Sequence, residues 1–179
     1  MITLVTGGSG SGKSEFAENL ILRYKSENQI YIATMYPYDK ESLKRIERHR
    51  DMRRLKNFET YECFTTLKNI ELPLDCVVLL DCIPNLIANE MYHEGGSKED
   101  VINEVKCGIN RLIKKSSNIV FVTNEVFSDG IDYDSEMKKY LYNLGEINKY
   151  ISSIADEVIE VVYSIPLYLK GGNQSVGIF

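Results

Sequence analysis

Residues 7–14 of the chain read Gly7-Gly8-Ser9-Gly10-Ser11-Gly12-Lys13-Ser14. They follow an apolar run, Ile2-Thr3-Leu4-Val5-Thr6, that is typical of a buried strand, and they precede apolar residues at helical spacing between residues 16 and 24. Strand, glycine-rich loop and helix in this order form the context that the phosphate-binding pattern G-x-x-x-x-G-K-[ST] requires. We therefore predict a P-loop at residues 7–14, with a glycine turn that only packs as the remaining alternative.

The residue types of this loop suit phosphate binding. Glycines allow backbone N–H groups to converge on phosphate oxygens, and the N-terminus of the following helix adds its dipole. Lys13 is expected to reach the β- and γ-phosphates, and the hydroxyl of Ser14 to bind Mg²⁺. The loop therefore predicts a nucleoside triphosphate and Mg²⁺ as ligands.

Strand and helix patterns alternate along the rest of the chain. Short apolar runs predict strands at 29–33, 76–80, 119–123 and 158–162, with a last short one near 167–169. Helical spacing and capping residues predict helices at 40–53 after Asp39, at 84–93, at 98–115 after Ser97 and at 135–154. This alternation predicts right-handed β-α-β crossovers, and therefore a single α/β P-loop nucleotide-binding domain over residues 1–179, with a mostly parallel sheet and helices on both faces.

Ligands of such sheets bind beyond the carboxyl ends of the strands, where Thr34, Asp81 and Asn124-Glu125 are expected beside the loop. Asp81 directly follows a buried-looking strand, as does the carboxylate that holds Mg²⁺ in P-loop proteins. It is therefore a candidate metal ligand together with Ser14, and an ordinary helix-capping acid is the alternative. For Glu125 a cap or loop role is at least as good an interpretation as a metal or substrate role.

Charge is unevenly distributed. The chain carries 21 Lys and Arg against 26 Asp and Glu, a net charge of −5, which argues against general nucleic-acid binding. Between residues 40 and 56, however, eight basic and three acidic residues give a local charge of +5. This segment is either a solvated helix face, with Leu43 and Ile46 turned inward, or a phosphate site. His49 lies within it and is either a surface histidine or a nucleophile.

Other features exclude several classes of protein. The longest apolar runs are strand-sized, and the N-terminus has no signal-peptide pattern, so we expect a cytoplasmic protein without stable membrane insertion. Cys63, Cys76, Cys82 and Cys107 have no C-x-x-C spacing, which favours reduced thiols over a disulfide framework or a zinc site. His93 is expected to act as a capping cation where its helix ends.

Several further segments carry a family resemblance that extends nearly end to end. Besides the P-loop with its preceding Val5-Thr6, they are Tyr31-Ile32-Ala33-Thr34, Arg45-Ile46-x-x-His49-x-Asp51-x-Arg53, Glu62, Asp81-Cys82, Val122-Thr123-Asn124-Glu125-Val126 and Ala155-Asp156-Glu157-Val158. Their order and spacing resemble those of the adenosylcobinamide kinase/adenosylcobinamide-phosphate guanylyltransferase family of cobalamin biosynthesis.

The resemblance implies an enzyme that phosphorylates adenosylcobinamide, a corrinoid, with ATP or GTP and then transfers GMP from GTP to the product. It implies that His49 carries the GMP and that the protein is a homotrimer. It also implies nucleotide contacts by residues outside the P-loop, namely Ala33, Thr34, Met35, Arg50, Asp51, Met52, Arg53, Glu62 and Asp81. Two alternatives remain from the residues themselves: a P-loop small-molecule kinase without guanylyl transfer, and a nucleotide-binding switch or assembly ATPase.

Overall fold

Seven strands and five α-helices form the described part of the chain, residues 1–24, 26–54, 56–127 and 130–172 of a computed structural model. The strands are β1 (Ile2–Thr6), β2 (Gln29–Ala33), β3 (Glu59–Glu62), β4 (Cys76–Asp81), β5 (Ser116–Val122), β6 (Glu157–Val162) and β7 (Ile165–Lys170). The helices are α1 (Lys13–Ile21), α2 (Lys40–Arg53), α3 (Ile83–Tyr92), α4 (Val101–Lys115) and α5 (Ser135–Ile154), and one 3-10 turn covers Leu67–Asn69.

All seven strands join one sheet in the order β3-β2-β4-β5-β1-β6-β7. Every neighbouring pair is parallel except β6 and β7, which form an antiparallel hairpin at one edge. The predicted α/β fold with a mostly parallel sheet is thus confirmed. Because β1 lies between β5 and β6, the loop that follows it opens at the middle of the carboxyl edge.

The core lies on both faces of the sheet, as the two-sided burial of β4 illustrates. Successive strand side chains point to opposite faces. Val77 and Leu79 belong to the cluster that also contains Ala17 of α1, whereas Val78 and Leu80 belong to the cluster built with α3, α4 and α5. Both faces of β4 are therefore buried, which explains why residues 76–80 form a continuous apolar run, as is typical of a parallel strand covered on both faces.

Two local expectations are wrong. Helix α4 begins at Val101 after an N-cap at Asp100 and not after Ser97, because the backbone N–H of Ser97 donates to the buried Glu90 (2.8 Å) and Lys98 has a positive φ. Leu43 does not face inward, since its side chain is 48% exposed. His93 is the C-cap residue of α3, and its Nδ1 accepts a hydrogen bond from the N–H of Gly95 (3.2 Å).

The structure also describes the state of the cysteines and the length and composition of the helices. All four cysteines are free thiols. Among the described helices none is both long and apolar enough to cross a bilayer.

Candidate active site

The glycine-rich loop connects β1 to α1 and needs glycine where its backbone is left-handed. Gly10 and Gly12 have φ values of +73° and +88°, which L side chains rarely adopt. A Cβ on Gly12 would also lie 2.5 Å from the hydroxyl oxygen of Ser164. Ser164, in the turn between β6 and β7, donates its backbone N–H to the carbonyl of Ser11 (2.8 Å). The β6–β7 hairpin therefore supports the loop directly.

Lys13 is the first residue of α1 and turns back over the loop. Its ammonium donates to the carbonyl of Gly8 (3.0 Å). Burial lowers the pKa of Lys13, and the neighbouring Cys82 and Asp81 oppose that shift. The cation therefore lies between the loop and the end of β4, where it can reach phosphates bound by the loop.

A cleft of about 580 Å³ extends from this loop to α2. It contains most of the residues proposed from the sequence, which are Ser9, Gly10, Ser11, Gly12, Lys13, Ser14, Ala33, Met35, His49, Arg50, Arg53, Glu62 and Asp81. These residues belong to the glycine-rich loop, to α1 and α2, and to β2, β3 and β4 at or just beyond their carboxyl ends. The parallel topology explains this convergence, because the strands end at the same edge of the sheet.

The end of β4 brings Asp81 close to His49. Asp81 Oδ2 accepts a hydrogen bond from the hydroxyl of Tyr31 (2.8 Å) and lies 3.7 Å from His49 Nδ1. Since 3.7 Å is longer than a hydrogen bond, the carboxylate and the imidazole are neighbours in the cleft without a direct hydrogen bond between them. Burial raises the pKa of Tyr31 well above its ordinary value, which keeps the phenol a proton donor to Asp81.

The basic helix α2 contributes arginines in two different settings. Arg53 is buried, and its guanidinium carbon lies 3.6 Å from the centre of the Tyr31 ring, within the range of a cation–π contact. Arg50 is exposed and pairs with Glu62 at the end of β3 (2.5 Å). Arg53 is thus fixed by packing, whereas Arg50 forms an exposed ion pair with Glu62 in the lining of the cleft.

Three polar atoms in the cleft are buried without a hydrogen-bond partner among the described residues. They are Ser11 Oγ, His49 Nδ1 and Arg53 Nε. Buried polar groups in folded proteins are nearly always paired, so an unpaired one points to a bound ligand or water. A donor on Arg53, a hydroxyl and an imidazole together fit phosphate oxygens.

Five of the residues that were proposed from the sequence do not belong to the described lining of this cleft. Gly7 is buried beneath the loop, and Gly8 accepts the Lys13 hydrogen bond. Thr34 is buried, where its hydroxyl accepts from the N–H of Cys82 and donates to the carbonyl of the same residue (both 2.7 Å). Asp51 is exposed on α2, and Met52 belongs to the same helix.

Other lining residues were missed or only partly anticipated. Tyr31, Asn85 and Ser164 line the cleft although no sequence pattern marked them as functional. Arg45 and Arg48 line it too, and the charge excess at 40–56 was the signal for them. Asn124, expected at this edge, also contributes.

A separate pocket of about 520 Å³, here called the second pocket, shares Ser9 with the cleft. Its described lining consists of Ser9, Glu125, Val126, Tyr133, Met137, Tyr140 and Leu141. The N–H of Glu125 donates to the carbonyl of Gly7 (3.1 Å), which fixes the chain after β5 against the base of the loop. Burial raises the pKa of Tyr140 to about 12.

The cleft offers hard oxygen donors at Ser14 and Asp81, the type of ligand that Mg²⁺ prefers. Within the described residues no group of three or more His, Cys, Asp and Glu side chains could hold a metal ion alone. The donor set therefore fits a cation that is shared with phosphates and water, which is how Mg²⁺ is bound in sites for nucleotides.

Comparisons with known proteins agree with the resemblance drawn from the motifs. Residues 3–169 match the family described as cobinamide kinase/cobinamide phosphate guanyltransferase. The bifunctional adenosylcobalamin biosynthesis protein CobU of Escherichia coli is 33% identical over 95% of this chain and all of the relative. Its namesake from Salmonella typhimurium is 32% identical with the same coverage.

The solved structures that match are more distant. The flagellar accessory protein FlaH of Methanocaldococcus jannaschii matches with a TM-score of 0.47 and 13% identity, over 94% of this chain and 77% of the other. The P4 protein of bacteriophage phi6, solved with ADP, matches with a TM-score of 0.42 and 14% identity, over 92% and 52% of the two chains.

Proposed function

The chain belongs to the cobinamide kinase/cobinamide phosphate guanyltransferase family, and on that premise we propose that one cleft serves two reactions. The first reaction transfers the γ-phosphoryl group of ATP or GTP to a hydroxyl of adenosylcobinamide. The second transfers GMP from GTP to the phosphorylated corrinoid through a guanylyl group on His49, giving adenosylcobinamide-GDP.

The observation that carries the proposal is the position of His49 in the same cleft as the P-loop. His49 Nδ1 lies 3.7 Å from Asp81 Oδ2. Asp81 is the last residue of β4, the strand next to β5, and it lies close to Lys13. A triphosphate bound by the loop would therefore extend toward an imidazole whose Nδ1 is buried and unpartnered among the described residues.

In the guanylyl step a nitrogen lone pair of His49 attacks the α-phosphorus of GTP. A nitrogen–phosphorus bond forms, the bond to the bridging oxygen breaks, and pyrophosphate leaves with that electron pair. Asp81 stabilises the positive charge that develops on the imidazole, and Lys13 with Arg53 stabilises the negative charge on the phosphates. A phosphate oxygen of the corrinoid then attacks the same phosphorus and releases His49.

The kinase step requires no covalent intermediate with the protein. Lys13 and the loop amides hold the β- and γ-phosphates while the acceptor hydroxyl is aligned with the γ-phosphorus. Ser14 and Asp81 would hold Mg²⁺, which when bound neutralises charge on the phosphates.

Intact-mass measurement after incubation with GTP and Mg²⁺ tests the proposal. We expect a mass increase of one GMP that is labile to acid and stable to alkali, as a phosphoramidate is. His49→Ala should lose the adduct and guanylyl transfer but keep corrinoid phosphorylation. His93→Ala, which changes the other histidine, is the matched control and should retain both, whereas Lys13→Ala should lose both.

Each competing function gives a different result. A kinase without guanylyl transfer forms no adduct in the parent protein, and a switch or assembly ATPase hydrolyses nucleotide at a rate that corrinoid does not change. An adduct that persists undiminished in His49→Ala contradicts the assignment of His49, and α2 would then act as a phosphate clamp.

The proposal includes a cytoplasmic homotrimer. Strand β7 is an edge strand with exposed apolar side chains at Ile165, Leu167, Tyr168 and Leu169, which supports association through this edge. Light scattering should give about three times the 20.5 kDa chain mass at micromolar concentration, and a monomer mass contradicts the trimer.

A further inference from the structure

The second pocket is adjacent to the phosphate loop but separate from the basic cleft. We propose that it binds the hydroxyl-bearing end of the non-nucleotide substrate, so that the acceptor approaches the loop from outside the cleft that α2 lines. This inference rests on the proposed function, because it concerns where the acceptor of the same reaction lies.

The first argument is position. Ser9 lines both the cleft and the second pocket. The ammonium of Lys13, which in P-loops reaches the β- and γ-phosphates, contacts the carbonyl of Gly8. The terminal phosphate is therefore expected near Gly8 and Ser9, and the second pocket opens at that same point. A hydroxyl in this pocket would be close to the γ-phosphorus.

The second argument is the chemistry of the walls. The cleft is lined by arginines, lysine and carboxylates, which suit a charged triphosphate. The second pocket has mostly apolar and aromatic walls, formed by Val126, Tyr133, Met137, Tyr140 and Leu141. Its volume of about 520 Å³ lies within the usual range for a small-molecule site. Such walls suit a large, mostly uncharged organic acceptor better than a second nucleotide.

The third argument concerns how this wall is built. Glu125 supplies a carboxylate at the pocket and is held at the loop by its N–H bond to Gly7. Met137 and Tyr140 come from the first two turns of α5, whose N-terminus is capped by Asp134. Three of the seven described lining residues, Met137, Tyr140 and Leu141, therefore belong to a capped helix, and a polar group lies beside the apolar wall, as in most ligand sites.

Met137→Glu tests the pocket without threatening the fold. Met137 is partly exposed at the third position of α5, where glutamate is favoured by the capping box and by the helix dipole. The substitution places a charge on the apolar wall. Tyr142→Glu is the matched control, because it adds the same charge to an exposed position of the same helix outside the pocket.

For Met137→Glu we expect the KM for cobinamide to rise at least tenfold while the KM for the nucleotide stays within twofold, and calorimetric titration with cobinamide should show the same loss of affinity. Tyr142→Glu should match the parent in both assays. If the parent is active and the KM for cobinamide is unchanged in Met137→Glu, the pocket assignment is overturned but the proposed function is not. A parent protein that neither binds nor phosphorylates cobinamide overturns the proposed function and this inference together.

Discussion

Breaking a buried ion pair behind the phosphate loop should destabilise the protein strongly. Glu18 of α1 is fully buried and pairs with Lys56, which follows α2, at 2.7 Å. Its second oxygen, Oε1, is buried without a hydrogen-bond partner among the described residues. Lys56→Met removes the one cation paired with this carboxylate in the described part of the chain, so a buried charge remains uncompensated.

The structure sets the expected magnitude. Removing one partner of a buried pair costs about 3–5 kcal/mol, and full burial of Glu18 places this pair in that range. For a chain of 150–250 residues this corresponds to a fall in Tm of about 6–20 °C. Replacing both residues by methionine leaves no buried charge, so Glu18→Met/Lys56→Met should unfold within about 1 kcal/mol of the parent, or be more stable.

Urea denaturation of the parent, both single variants and the double variant measures this coupling as a double-mutant cycle. Lys68→Met is a suitable control, because Lys68 forms a more exposed pair with Glu104 and its loss should lower the stability far less. A loss below about 1 kcal/mol for Lys56→Met, or a double variant as unstable as the single one, refutes the reasoning.

Three other substitutions or reagents report on the site. Asp81→Asn should raise the Mg²⁺ concentration needed for half-maximal turnover, and a metal-dependence curve that overlays the parent's would make Asp81 a structural cap. Tyr31→Phe removes the donor to Asp81 and should cost about 1.5–3 kcal/mol in urea unfolding; no change in stability would show that this hydrogen bond contributes nothing. Burial raises the pKa of the Cys82 thiol from 9.0 to about 12, so at pH 8 a thiol reagent should modify the exposed Cys107 first and Cys82 much more slowly. Peptide mapping should find this order, and because the raised pKa favours the protonated thiol, stability should decline as the pH rises from 9 toward 12.

Sequence patterns predicted the fold wherever an element is defined by its own residues. Strands β1, β2 and β4 are apolar runs, and α5 has both a capping residue and a long amphipathic pattern, so their positions follow from local chemistry. The strand β3 was missed because its sequence, Glu59 to Glu62, is polar and largely exposed. It is a strand because β2 offers it hydrogen bonds at the sheet edge, which no local pattern reveals.

The candidate site was predictable in part for the same reason. The P-loop is a local motif, and Asp81 could be placed at the sheet edge from strand order alone. The contacts around Asp81 could not, because Tyr31 is 50 positions away in sequence and reads as an ordinary apolar strand residue. Likewise the family resemblance pointed to Arg53, but only packing shows that its guanidinium lies against that ring.

The contact between Ser164 and the phosphate loop has a consequence for the order of synthesis. The loop leaves the ribosome long before Ser164, the residue that supports Ser11 and limits Gly12, has been synthesised. Strand β1 likewise cannot pair with β6 until β6 has been synthesised. During translation a nascent chain therefore exposes an unfinished phosphate site, and nucleotide affinity should arise late, when the β6–β7 hairpin has emerged.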